Sequence, residues 1–166
     1  MAEALLINRN DLAKFTSLNG NVDTDKFVQY IKIAQDIHLQ EILGTKLLNR
    51  IKSDIDGNNL QDPYLSLVTN YIKQVLIHYA MVEYLPFSAY TIANKGVYKH
   101  GAENSESVSK NEVDYLVEKE RKTAESYRQR LIDYIIYHSS DFPEYFQNRN
   151  EDVFPSNDNY FTGWVI

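Results

Sequence analysis

Residues 62–86 read DPYLSLVTNYIKQVLIHYAMVEYLP, and this stretch decides the fold. Asp62 followed by Pro63 opens a helix. An aspartate caps the first free N–H groups, and a proline at the first helical position gives up only an N–H that no helix carbonyl needs. Beyond it Leu67, Val68, Tyr71, Ile72, Val75, Leu76, Tyr79 and Val82 recur at three- and four-residue steps, the period of a helix face. They cover so much of the circumference that this helix is expected in the middle of a bundle rather than on its surface. Pro86 breaks or kinks it.

On the N-terminal side, residues 9–15 read as a short helix that Asn8 or Asn10 can cap, followed by a loop, SLNGNVD, with turn chemistry at Asn19-Gly20. Asp23 or Thr24 starts the next helix, whose apolar positions are Phe27, Ile31, Ala34, Ile37 or His38, and Ile42. Gly44 is expected to end it as a left-handed cap, and Thr45 starts another short helix through Leu47, Leu48 and Ile51. The segment SDIDGNNLQDP, residues 53–63, is a loop.

On the C-terminal side, TIANKGVYKHG, residues 91–101, places the turn residues Asn94-Lys95-Gly96 between β-prone pieces, which suits a small hairpin. GAENSESVS is polar loop. Ser109 or Asn111 then caps a last long helix running to about Ser139, with Val113, Leu116 or Val117, Glu120, Ala124, Tyr127, Leu131, Ile135 and His138 on one face. Its other face alternates charges, as solvated helices do. The expected fold is mainly α: a bundle with two or three long helices, a hairpin insertion within residues 87–108 and, after residue 140, an extended C-terminal arm.

That arm, DFPEYFQNRNEDVFPSNDNYFTGWVI, holds two of the four prolines and the rings Phe142, Phe146, Phe154, Phe161 and Trp164. Unstructured tails are poor in such rings, because leaving them in water is unfavourable. The arm is therefore expected to dock, on its own body or on a neighbour. Phe142, Pro143 and Tyr145 follow the last helix directly and are expected to pack on the body. In YFTGWVI, Tyr160, Thr162, Trp164 and Ile166 alternate with Phe161, Gly163 and Val165, so an extended strand would be apolar on both faces and would suit a partner's sheet or groove.

Composition bounds the function. The chain has 166 residues, 43% of them hydrophobic, enough for one real core. No apolar run is long enough to span a bilayer, and no signal-peptide pattern is visible at the N-terminus. With no cysteine there is no disulfide, thiol catalysis or cysteine zinc site, which points to a reducing compartment or a particle assembled there. A formal charge of −6 opposes a broad basic face for nucleic acid. The thirteen tyrosines suit either a core rim or half-wet interfaces.

No constellation for chemistry emerges. Asp54, Asp56, Asn58 and Asp62 have the flavour of a calcium loop, but Gly57 is at the wrong place and Leu65 stands where a bidentate glutamate is required. His38, His78, His100 and His138 are scattered. Glu41 follows His38 by three residues, yet the central helix offers only Glu83 toward a di-iron set. There is no phosphate loop and no nucleophile elbow. No catalytic, cofactor or metal residue is assigned.

The layout does resemble a family. FVQYIKIAQDIHLQEILGTKLLNRI, residues 27–51, carries the phrase Ala34, Asp36, Ile37, Ile42, Leu43, Gly44, Leu47. After it come the Asp62-Pro63 helix, ANKGVYKHG, and a last helix ending YRQRLIDYIIYH. Over roughly residues 5–140 this is similar to the head-to-tail connector (adaptor, head completion) proteins of tailed bacteriophages, more narrowly to variants from large Bacteroides-type phages. The resemblance implies a non-enzymatic structural virion protein. It implies a homo-oligomeric ring of about twelve subunits at the portal vertex, contacting the portal protein and other tail or ring proteins. The ring would continue a channel through which DNA passes without specific binding, with no membrane contact and no cofactor. The candidate partner interface is Phe154, Tyr160, Phe161, Trp164 and Ile166 in the arm, with Asn94, Lys95, Gly96 and Tyr98 in the insertion. The competing expectation is a small helical DNA-packaging or regulatory protein; an enzyme built on the bundle is a third.

Overall fold

A computed structural model describes residues 4–16, 24–88, 90–93, 96–99, 109–147 and 152–156. The protein is mainly α-helical. Helix α1 (Arg9–Phe15) is opened by Asn8, whose side chain accepts from the N–H groups of Asn10 and Asp11, while Asp11 returns a bond to the Asn8 N–H. This reciprocal box satisfies donors that the helix cannot. Helix α2 (Thr24–Ala34) passes through a π-turn (Gln35–Leu39) into α3 (Gln40–Asp56). A short α4 (Tyr64–Leu67), a second π-turn (Val68–Ile72) and α5 (Lys73–Tyr84) form the central rod, which ends in a 3₁₀ turn (Leu85–Phe87) containing Pro86. Strands β1 (Tyr90–Ala93) and β2 (Gly96–Lys99) pair antiparallel, Thr91 opposite Tyr98 and Ala93 opposite Gly96. Helix α6 (Lys110–Tyr137), opened by a Ser109/Glu112 capping box, and the short α7 (Pro143–Phe146) complete the described elements.

Helix α5 lies between α2 and α6. Its Val75, Leu76, Ile77, Tyr79, Ala80, Met81 and Val82 are all buried, as expected of a rod apolar on most sides. The start of the rod is one residue later than the sequence predicts. Pro63 takes the cap position, and Asp62, just outside, accepts from the Ser66 N–H and hydroxyl.

The inward face of α2 changes phase at the π-turn. Phe27, Ile31, Ala34 and Ile42 are buried as expected; of the alternatives Ile37 and His38 it is His38 that turns inward, Ile37 being 58% exposed, and Leu39 and Leu43 join the buried face. A π-turn spends an extra residue per turn, which rotates everything after it. What fixes that turn is Gln35, fully buried. Its side-chain oxygen accepts from the Leu6 N–H at 3.1 Å and its amide donates to the Ala4 carbonyl at 3.0 Å. The amide thus stands in for a neighbouring strand and pins the chain's first described residues, bringing Leu6, Ile7 and Leu12 into the core.

Candidate functional site

Gly44 ends one helical arm and a second starts at Thr45, as the sequence predicts. Its backbone, at φ 74° and ψ 158°, breaks α3 internally, and helix resumes at once. That combination of angles is open essentially to glycine alone. The break is a reversal: Lys52 and Asp36, on opposite sides of it, approach to 3.8 Å, whereas sixteen residues of straight helix would separate them by about 24 Å. The positive φ is that of the expected left-handed cap, but the ψ of 158° is extended, and the two helical arms meet there at a corner.

A corner in a helix leaves backbone groups orphaned. In an unbroken helix the Thr45 N–H would bond to the Glu41 carbonyl. Here the Thr45 N–H donates to the Val153 carbonyl at 3.0 Å, and the Glu41 carbonyl accepts from the Ser156 N–H at 2.9 Å. Residues 153–156 thus substitute for the missing helical bond at both ends. The Thr45 hydroxyl adds to the grip, accepting from the Val153 N–H at 2.9 Å and from the Gln40 side-chain amide at 2.8 Å. Pro155 is buried within this seat and brings no N–H that would need a partner. The Phe154 side chain points away, 57% exposed.

The chain reaches the corner from α7, which is itself fastened. Phe142 and Tyr145 are buried in the core as expected, whereas Pro143 is exposed. The Tyr64 hydroxyl donates to Glu144 at 2.7 Å. Arg50 lies 5.1 Å over the Tyr64 ring, donates to Asp54 at 2.9 Å, and stands 3.9 Å from Glu144. Burial, and then the bond to Glu144, pushes the Tyr64 phenol up to about 12. The guanidinium of Arg50 is held above its usual value, chiefly by the hydrogen bond to Asp54. Asp54, read above as a loop residue, lies in α3 and serves this arginine.

Two further polar pairs tie the helices sideways. His38 meets Glu83 at 2.7 Å and stacks on Tyr79, ring centroids 4.2 Å apart; His78 meets Glu120 at 2.7 Å and stacks on Tyr127 at 5.3 Å. The first joins the π-turn after α2 to α5, and the second joins α5 to α6. Among the described residues no group of three or more His, Asp or Glu side chains stands together to hold a metal ion.

Of the sequence-predicted interface residues, Phe154 lies on the seated segment, and Gly96 and Tyr98 lie in β2. Asn94, Lys95, Tyr160, Phe161, Trp164 and Ile166 fall outside the described residues. The residues that build the corner, Gln40, Glu41, Thr45, Val153 and Ser156, went unnoticed as a set. The only local signal is a threonine directly after a helix-breaking glycine; the rest is a contact across more than a hundred positions.

Comparison with known proteins places the chain beside a family model. The model of a family of unknown function (DUF6712) covers residues 39–155. That span runs from the end of the first π-turn to Pro155, so it encloses both the Gly44 corner and most of the segment seated on it. No curated protein and no solved structure matches the chain.

Proposed function

We propose that this chain, which belongs to the family of unknown function DUF6712, is a structural virion protein. In this role it forms a ring between the portal and the tail, continues the DNA channel and docks tail proteins. It has no catalytic role and needs no cofactor. The ring is a homo-oligomer of about twelve copies at the head–tail interface, made in the host cytoplasm.

The observation that carries this proposal is the rooting of the tail. The backbone of residues 153–156 is fixed to α3, and ten residues rich in large apolar side chains follow, with Tyr160, Phe161, Trp164 and Ile166 among them. Ten extended residues span at most about 35 Å, enough to reach an adjoining subunit. A ring that closes through head-to-tail contacts needs two different surfaces on each copy. The rooted arm is one. Val28, Ile33 and Ile37, all exposed on the α2 side of the body, offer a second. The insertion at residues 87–108, with its paired strands, is a further docking element toward portal or tail proteins.

The test is the solution mass of the full chain and of a chain lacking residues 157–166, alone and mixed with the portal protein of the same virion. A ring formed by the full chain, alone or on the portal, and lost on truncation supports the proposal. Monomers throughout, with no portal association, overturn it.

A further inference from the structure

The outward side of α6 carries a line of cations and phenols. Lys119, Lys122, Tyr127 and Arg130 line one shallow groove, and Arg130, Tyr134 and Tyr137 line the next. Arg130 belongs to both, so the two run into each other. Three to five residues apart on α6, these side chains form a line of about 27 Å from Lys119 to Tyr137. Tyr137, at its end, is 85% exposed.

This face is basic on an acidic protein. The stripe itself carries three cations, Lys119, Lys122 and Arg130, on a chain of net charge −6, and the same turns of α6 hold two glutamates. One of those glutamates, Glu120, is drawn back to His78 on α5, and Glu125 is exposed on α6. Two other carboxylates border the line. Glu118 stands 3.8 Å from Lys122, and Asp133 accepts from the Gln129 amide at 2.8 Å. Thr123 and Ser126, also on this side, donate their hydroxyl protons to carbonyls of their own helix. The donors that face a partner are Lys119, Arg130, the Glu118-paired Lys122 and the exposed Tyr137 phenol, with the half-buried Tyr127 and Tyr134 beside them.

We propose that this stripe lies along the phosphate backbone of duplex DNA. It deepens the connector proposal, on which it rests, by naming the face turned to the channel. Lysine, arginine and tyrosine are donors that proteins use on phosphates. Between Lys119 and Arg130 no Leu, Ile, Val, Met or Phe side chain lines the groove, whereas a protein interface is built round an apolar centre. Three cations give contact that is weak, independent of sequence and steeply salt-dependent. The phenols add hydrogen bonds without adding charge, a combination that guides a moving duplex and does not trap it.

The test uses the full chain and a short fluorescent duplex of mixed sequence, read by anisotropy across a salt series. The expected result is binding at low salt, with log K falling against log salt at a slope of about −2.7, from about −0.9 per neutralised phosphate. The combined Lys119→Gln, Lys122→Gln and Arg130→Gln substitutions should bring the slope close to zero. Lys14→Gln, on α1, should leave it unchanged, and Tyr137→Phe should weaken binding a few-fold at the same slope. Circular dichroism of each variant checks that the exposed substitutions leave the fold intact. No binding at low salt, or a triple variant that keeps the slope, overturns the inference. So does binding of polyglutamate in place of the duplex, which would mark the face as a dock for an acidic protein. The assay needs only the isolated protein, so its failure and a failure of ring assembly are separate results.

Discussion

Thr45 and Val153 hold each other twice: the Thr45 N–H donates to the Val153 carbonyl, and the Val153 N–H donates to the Thr45 hydroxyl. The pairing is that of two residues on adjacent strands, yet one partner sits in a helix and the other in the tail. It exists because Gly44 takes the Thr45 N–H away from its helical acceptor.

Replacing the hydroxyl should loosen the tail. Thr45→Val keeps the volume and removes the acceptor used by the Val153 N–H and the Gln40 amide. Removing one partner of such buried bonds costs about 1–3 kcal/mol. The urea midpoint should fall accordingly, and limited proteolysis should cut the C-terminal segment sooner. Thr45→Ser should stay close to the wild type.

The corner itself should demand glycine. Gly44→Ala forces a Cβ into a backbone region that L-residues avoid, at roughly 1–3 kcal/mol. Denaturant unfolding measures it. An alanine variant as stable as the parent would show that the corner relaxes into ordinary helix.

Gln35 should be replaceable by neither an apolar nor a charged residue. Gln35→Leu abandons the Leu6 N–H and the Ala4 carbonyl. Gln35→Glu can still accept from Leu6 when ionised, but it then sets a buried charge against the Ala4 carbonyl. Its deficit relative to wild type should therefore be larger at neutral pH than at a pH low enough to protonate the new carboxyl, as urea unfolding at the two values would record.

Alkali should unfold the protein partly through Tyr64. Below its ordinary value of 10.0 the phenol is neutral whether the chain is folded or not, so its contribution is fully present there. Between 10.0 and about 12 the unfolded chain ionises while the folded one keeps the proton, and stability is lost as pH rises through that window. Burial raises Tyr79, Tyr84 and Tyr145 in the same direction. Tyr64→Phe should flatten the fall of the urea midpoint over this range.

Much of the body was legible because its signals are local. The caps at Asn8 and Ser109, the rod beginning at Asp62-Pro63 and the inward Phe142 and Tyr145 each follow from side chains within a few positions. Which of Ile37 and His38 would turn inward was not. A helical period assumes a constant step, and the π-turn that breaks it is tied to a buried amide holding residues some thirty positions away. Gly44 announced a positive φ, and its angles bear that out. The restart of helix at Thr45 was legible as well; what the sequence did not show is the partners that close the corner, which belong to residues 153 and 156.

The distance of 108 positions between Thr45 and Val153 sets a clock on biosynthesis. Chains grow at about 5–20 residues per second, so the corner waits roughly 5–20 s for the segment that closes it. Until then the nascent molecule displays an open backbone donor and acceptor beside a buried hydroxyl. Any extended strand could occupy that place.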